Sequence, residues 1–396
     1  MPDHYHYIIT GAGCAGSSLL MRMMREPFFA DKKILVIDQF PKTANDRTWC
    51  FWEKQAGIFE PIVYHQWNQL NFFSKSYSET LVIDPYQYKM IRGIDLYTYV
   101  KETSIKYSNI EWRYEKIKAI RSDHEKAFVE LETETLTGDY IFNSILFNKL
   151  EKTITGASND LIGGRIKKNE YLLLQHFKGW LIQTKEPAFN PSQATFMDFR
   201  VSQEHGTTFI YLMPITTTSA LVEYTLFTEM VLQTTTYETA LRNYISSYLQ
   251  IRDYEIVHEE FGIIPMTNHQ FPLQEERIIY MGIAGGQAKG SSGYAFQFIQ
   301  KRTEKIVQLF VTNKRPVDKR SFNDRKFHLY DSVLLNVLHN RKMNGDEIFA
   351  RIFQKNPVER VLQFLDNESS LMDDLKIMKS VPSSIFLPAA FKELFT

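Results

Sequence analysis

Residues 220–227 read ALVEYTLF and set one carboxylate, Glu223, inside an apolar, β-branched and aromatic run. The composition predicts a strand, whose side chains alternate between two faces. Glu223 then shares its face with Leu221, Thr225 and Phe227. An ionised carboxylate is unfavourable in apolar surroundings and tends to take up a proton. Two readings stand at this point: an edge-strand acid whose head reaches water, or a carboxylic acid kept protonated so that it can donate.

A second cluster lies at the N-terminal end. Tyr7–Thr10 reads as a buried strand that runs into Gly11-Ala12-Gly13-Cys14-Ala15-Gly16, followed by a helix pattern over Ser17–Arg25. Lys33–Ile37 is a second apolar strand ending in Asp38, 22 residues beyond Gly16. The first glycine permits the tight turn, the second lets backbone approach a pyrophosphate, and the third lets the helix pack on the strand. An acid at this distance suits a ribose hydroxyl, so the set predicts a dinucleotide site at Gly11, Gly13, Gly16 and Asp38. A third cluster repeats the logic: strand Ile278–Gly282 enters the glycine- and serine-rich stretch Ala284–Gly293 ahead of a helix over Tyr294–Phe310. Such a loop at a helix N-terminus suits an anion or a polar ring edge, which brings in Gly282, Gly285 and Gly286.

Between these clusters the chain changes character. Asn45–Trp52 has neither helical nor strand period; Arg47 and its two tryptophans read as a core plug or as a wall beside the cofactor. Tyr88–Ile91 reads as a strand, Asp95–Thr103 as a helix and Glu111–Phe142 as a β-meander, with a crossover at Gly163 and Gly164. Strands fill Tyr171–Phe227, a helix covers Tyr237–Leu249, and from Phe322 onward the pattern is helical. Glu260 closes an acidic pair with Glu259 and reads first as a solvated turn acid, with a place near the pocket as the alternative. Lys289 either contacts a phosphate or caps its loop, and Arg92 either lies beside the cofactor or caps the helix that starts near Asp95. The expected organisation is α/β: a Rossmann-like nucleotide domain from 1–165 and 260–320, a substrate-binding sheet domain over 166–259, and a helical region over 321–396.

Composition narrows the function. The 46 basic and 46 acidic residues balance, without the basic stripe of a nucleic-acid binder. Two cysteines, Cys14 and Cys50, have no metal-ligand spacing and suggest a reduced, cytoplasmic protein. His65, His176 and His258 are isolated, so no metal is expected. The N-terminal stretch lacks a basic leader, and no segment approaches the ~20 apolar residues of a membrane span. An aromatic content of 14% suits a long apolar ligand or a Phe-rich core.

Several segments together carry a resemblance: GAGCAGSSLLMRM, NDRTWCFWE, PYQYKMIRG, QHFKGWLIQT, FMDFRVSQ, FIYLMPI, ALVEYTLF, FGIIPMT and GIAGGQAKGSSGYAF. The chain resembles the flavin-binding, soluble-type bacterial lycopene β-cyclases over nearly its whole length. The resemblance implies the domain arrangement of the aromatic hydroxylases and reduced FAD with electrons from NAD(P)H. It also implies a linear C40 carotenoid whose ψ-ends become β-rings without net redox change. Glu223 matches the family's essential strand glutamate. Two departures stand out: Tyr224 where plant members carry a second acid, and Lys289-Gly290-Ser291-Ser292-Gly293 where the family often has Lys-Pro-Ser-Thr-Gly.

With FAD as the dinucleotide, the expected cofactor residues are Gly11, Gly13, Gly16, Asp38, Arg47, Gly282, Gly285 and Gly286, and the expected acid is Glu223. Trp49, Trp52 and Tyr224 are candidates for stabilising a passing cation. The expected partners are the carotenoid and a bilayer surface, the inner face of the cell membrane, with no obligate protein partner. A flavin-dependent monooxygenase or reductase on an isoprenoid is the main rival, although Gly282-Ile283-Ala284-Gly285-Gly286 lacks the Gly-Asp such enzymes place there. A non-catalytic carotenoid carrier is the second rival; it has no use for Glu223.

Overall fold

The computed structural model describes residues 4–146, 169–312 and 319–395; Gly163 and Gly164 lie outside the described residues. Strand β1 (His4–Thr10) leads into helix α1 (Cys14–Met24) and β2 (Ile34–Asp38). The next strands are β3 (Thr48–Glu53), β4 (His65–Trp67), β5 (Gln69–Phe73), β6 (Ser78–Val82) and β7 (Gln87–Arg92), before α2 (Gly93–Ser104). Strands β8 (Ile110–Tyr114), β9 (Ala119–Ser122), β10 (Ala127–Glu130) and β11 (Thr135–Asn143) follow. Then come β12 (Leu172–Gln183), β13 (Gln193–Asp198), β14 (Thr207–Pro214), β15 (Ser219–Thr228), α3 (Thr234–Ser247), β16 (Glu255–Thr267), β17 (Gln274–Glu275) and β18 (Ile278–Tyr280). The closing helices are α4 (Phe296–Val311), α5 (Phe322–His339), α6 (Gly345–Lys355), α7 (Val358–Leu365), α8 (Leu371–Met378) and α9 (Ser383–Leu394).

The first sheet has the order β17-β18-β11-β1-β2-β8, parallel from β18 to β8. Its central strands are apolar on both faces, as expected when helices cover both sides. The meander expected over Glu111–Phe142 is split: β8 is a parallel neighbour of β2, and only β9–β11 form antiparallel ladders. Helix α1 lies against α4, where Gln300 Nε2 donates to Ser18 Oγ at 2.9 Å and Arg22 Nη2 donates to the Gln300 carbonyl at 3.2 Å.

The second sheet has seven strands, β16-β12-β15-β14-β13-β5-β6, drawn from both sides of the 166–259 span. One face, with Val222, Tyr224 and Leu226, packs on α3 through Tyr237, Leu241 and Tyr244. The other, with Leu221, Phe227, Phe209, Tyr211 and Met213, packs on a three-stranded sheet, β3-β7-β4, and on Phe349 and Phe353 of α6. That small sheet corrects the irregular reading of Asn45–Trp52, because Thr48–Glu53 pairs with Gln87–Arg92 along its whole length. Both faces of β3 are covered, which hides its period: Phe51 stacks on Phe296 at 4.1 Å, and Trp52 meets Tyr294 edge-on at 4.8 Å.

Candidate active site

Three loops meet at one end of the first sheet. In the first, Gly11 has φ +94°, a conformation that side chains with a Cβ rarely adopt, and it turns the chain into α1. A Cβ on Gly16 would stand 2.0 Å from the Gly11 carbonyl oxygen, so only glycine lets the helix seat on the turn. A Cβ on Gly13 would meet nothing within 4 Å, and α1 begins there with no side-chain cap and no acid in its first turn. Its N-terminal amides and dipole therefore face open space, the arrangement that binds phosphate. Asp38 accepts the Ala12 amide at 2.7 Å and lies 3.6 Å from Lys42 Nζ, fixed at the mouth of the turn.

The second loop runs from Gly282 to Ala295. Gly282, φ +60°, sits against α1: a Cβ there would be 3.2 Å from Ala15 Cβ. Gly285 closes on the Tyr280 carbonyl, whereas Gly286 faces Phe271 and lines, with Gly285, a cavity of about 380 Å³ on the far side. Gln287 Oε1 and Ser292 Oγ in this loop, and Gln175 Oε1 beside Gly293, are buried without a hydrogen-bond partner. The open helix N-terminus at the glycine turn, with Gly282 of this loop packed against α1, fits the phosphates of a dinucleotide. Lys289 does not contribute to such a phosphate site, because it is buried on Asp331 (2.8 Å) and Asn367 (2.6 Å), tying the loop to the C-terminal helices. Arg92 likewise forms a bidentate pair with Asp95 at 2.6 and 2.7 Å at the start of α2.

Arg47, in the third loop, is the link. It pairs with Asp46 at 3.2 Å, and its charge is felt both by Cys14 of the glycine turn and by Glu260. The next residue, Thr48, donates its hydroxyl to Glu260 Oε2 at 2.9 Å.

Glu260 corrects the reading of a solvated turn acid: it lies within β16 and is 5% exposed. Register explains why. Gly179 of β12 pairs with Glu260 on one side and Glu223 on the other, and Glu223 pairs in turn with Tyr211 of β14. Residues directly opposite share a face, so Glu260, Gly179, Glu223 and Tyr211 form a row under the small sheet. A Cβ on Gly179 would stand 3.0 Å from Glu260 Cγ and 3.3 Å from Oε1, so the Glu260 head leans over the glycine. Glu223, 8% exposed, accepts the Thr225 hydroxyl at 2.7 Å. The sequence offered this position for Glu260 only as the lesser reading; the signal for it is the alternation of β16, which puts Glu260 in phase with Gly262 and Ile264.

The electrostatics follow from this enclosure. Burial, and then the charge of Glu260, pushes the Glu223 carboxyl up to about 8 against the pull of Thr225. Burial also pushes Glu260 up to about 7, while Thr48 and Arg47 pull it down. The pair thus retains a proton at neutral pH, held most firmly by Glu223. Cys50 of β3, Tyr88 of β7 and Tyr211 surround it, with Tyr294 bonded to Tyr211 at 3.0 Å, and burial raises all four, so they stay neutral. Of the aromatic candidates, Trp52 reaches this cluster. Trp49 packs on Tyr97 and Phe296 instead, and Tyr224 points to the opposite face, onto Tyr237.

A family model described as "Lycopene cyclase protein" matches residues 7–390. The lycopene beta-cyclase of Pantoea ananas is 24% identical over 326 residues, covering 78% of this chain and 76% of that protein. Two solved structures show the same fold at 12% identity. One is a geranylgeranyl bacteriochlorophyll reductase-like protein from Thermoplasma acidophilum (TM-score 0.62; 99% and 98% of the two chains). The other is p-nitrophenol 4-monooxygenase from Pseudomonas putida (TM-score 0.61; 100% and 99%).

Proposed function

The chain belongs to the lycopene cyclase family, and from that premise we propose that it closes β-rings on the ψ-ends of lycopene, with Glu223 as the proton donor. The observation that carries this reading is a carboxylic acid kept protonated near neutral pH on an apolar, aromatic-lined sheet face. A hydrocarbon offers an enzyme neither a charge nor a hydrogen bond. The useful tool is a proton held ready on a buried carboxyl, in a dry site where no water competes to quench the cation it creates.

In this reading Glu223 protonates the terminal double bond. Rings of Trp52, Tyr211 and Tyr294 then face the tertiary cation, at about 0.5–2 kcal/mol per contact. FAD fits Gly11, Gly13, Gly16, Asp38 and Arg47, with Gly282 and Gly285 beside them. When bound and reduced by NAD(P)H, it supplies negative charge to the cation without being consumed. Water is kept out by the small sheet and by Phe349 and Phe353 of α6.

The deciding experiment has two arms: an anaerobic one with purified protein, lycopene in liposomes and FAD reduced by dithionite, with pigments separated by chromatography, and an aerobic one with NAD(P)H as reductant, in which oxygen uptake is followed. Cyclic carotenoid is expected with no oxygen uptake. A flavin-loaded protein that leaves lycopene linear, or that consumes oxygen in proportion to product, overturns the proposal in favour of a monooxygenase or reductase.

A substrate dissolved in lipid must be fetched from lipid. Among the described residues no helix is long and apolar enough to cross a membrane. Helix α8 exposes Leu371, Leu375 and Met378, and α9 exposes Leu387, Phe391 and Leu394 with Phe395 beyond, each row at one-face helical spacing. These rows support peripheral docking on a bilayer. Leu387→Ser/Phe391→Ser/Phe395→Ser is expected to lower co-sedimentation with liposomes at least fivefold while leaving flavin content unchanged. Equal sedimentation of the variant and the wild type would remove this surface from the account.

A further inference from the structure

An acid that opens the reaction has to be matched by a base that ends it. When a β-ring closes, a proton adds to the inner carbon of the terminal double bond, and the outer carbon, which carries the two methyl groups, becomes a tertiary cation. The π electrons of the internal double bond form the new carbon–carbon bond, and the positive charge moves to the far carbon of that pair. A proton then leaves the ring carbon that made the bond, and its C–H electron pair becomes the ring alkene. One proton enters, one leaves and no electrons are exchanged. The carbon that gains a proton and the carbon that loses one are both attached to the same quaternary carbon, so donor and acceptor have to stand side by side.

Resting on the cyclase reading, we propose that Glu260 is this base, paired with Glu223 across Gly179, so that the two carboxyls together end each ring closure with the protonation they began with. The geometry carries the assignment. Glu260 and Glu223 sit on strands either side of β12, their Cα atoms roughly 10 Å apart at ordinary strand spacing, with no side chain between them. Oε2 of Glu260 is held by Thr48, and Oε1 is the oxygen that leans over the glycine. On the opposite side Thr225 holds Oε1 of Glu223.

The groups facing the pair are Cys50 from β3, Tyr88 from β7 and Tyr211 from β14, which bonds Tyr294 of the glycine-rich loop; all are neutral. Arg47 and Asp46, at the entrance to β3, are the charged groups acting on it. Arg47 and the Thr48 hydroxyl favour the ionised form of Glu260, and Glu260's charge favours the protonated form of Glu223. Acid and base are thereby sorted between two residues of the same type.

The test uses the flavin-loaded protein with lycopene and the variants Glu260→Gln, Thr48→Val and Glu259→Gln. Glu260→Gln is expected to lower kcat on the order of 10²-fold. It should also release rings whose alkene lies at another position, because the cation then loses its proton elsewhere. Infrared titration of the protonated carboxyl, assigned by its loss in Glu223→Gln, should show Glu223 ionising at lower pH once its charged neighbour is gone. Thr48→Val removes a bond that favours ionised Glu260, so the acid limb of its pH–rate profile should move to higher pH. Glu259 pairs with Lys178 at 2.9 Å, next to Glu260 in sequence but outside the row, and its variant should match the wild type. Only β-rings from Glu260→Gln at the wild-type rate, with the Glu223 band unmoved, would overturn the assignment while leaving the cyclase reading intact. No rings from the wild type would overturn both.

Discussion

Glu223→Gln is expected to lower ring closure by on the order of 10³-fold, within the range found for positioned acids, with flavin still bound. Gln matches the shape of a protonated Glu and can accept the same Thr225 hydroxyl bond, but it has no proton to give. Substrate should still bind, because the apolar face formed by Leu221, Phe227, Tyr211 and Met213 is unchanged. The loss should therefore fall on kcat rather than KM. A variant that retains more than a tenth of wild-type turnover would remove Glu223 from the acid role, and Glu260 would be the next residue to change.

The same substitution is expected to make the protein more stable, and only at higher pH. The Glu223 carboxyl ionises in the folded chain at about 8, above its ordinary 4.5. Between those values the folded state binds more protons than the unfolded one, so stability falls as pH rises. The penalty is absent below the unfolded value, grows through the window and is complete above the folded value. Gln never ionises and escapes it. Each unit is worth about 1.4 kcal/mol, and with relaxation around the charge the advantage at pH 8 should be on the order of 3 kcal/mol. Urea unfolding of wild type and variant at pH 4, 6 and 8 checks this. A gap that stays constant across the three would mean that the carboxyl is not held protonated by the fold.

The two results together describe a trade-off. Both expected results have one cause: the burial that keeps the Glu223 carboxyl protonated also disfavours the folded state once that carboxyl ionises.

The parts of this arrangement that are local in the chain are legible in the residues alone. The strand, glycine turn, helix and acid around Gly11–Asp38 carry their own geometry within one βαβ unit. The face of Glu223 follows from strand alternation, which also accounts for Tyr224 pointing away. Glu260 is different. Its neighbours Glu259 and Phe261 are exposed, and its burial is created by β12, nearly eighty residues earlier, and by Thr48 from the far end of the chain. No local pattern carries that information. Strand β3 was obscured for a related reason: Phe51 and Trp52 are buried on opposite faces, in two different cores, so no single apolar side marks the strand.

The bond between Ser18 and Gln300 spans 282 residues, and that separation bears on how the chain is made. The glycine turn that opens α1 is synthesised well before α4, the helix that covers α1, with the remaining closing helices still to follow. At about 5–20 residues per second the interval is roughly 15–55 s. Throughout it Leu19, Leu20 and Met23 lack one of their covering elements. Contacts this distant in sequence also slow folding after release. Maturation is therefore vectorial only in part: the glycine turn and α1 have to wait for α4 before their packing is complete.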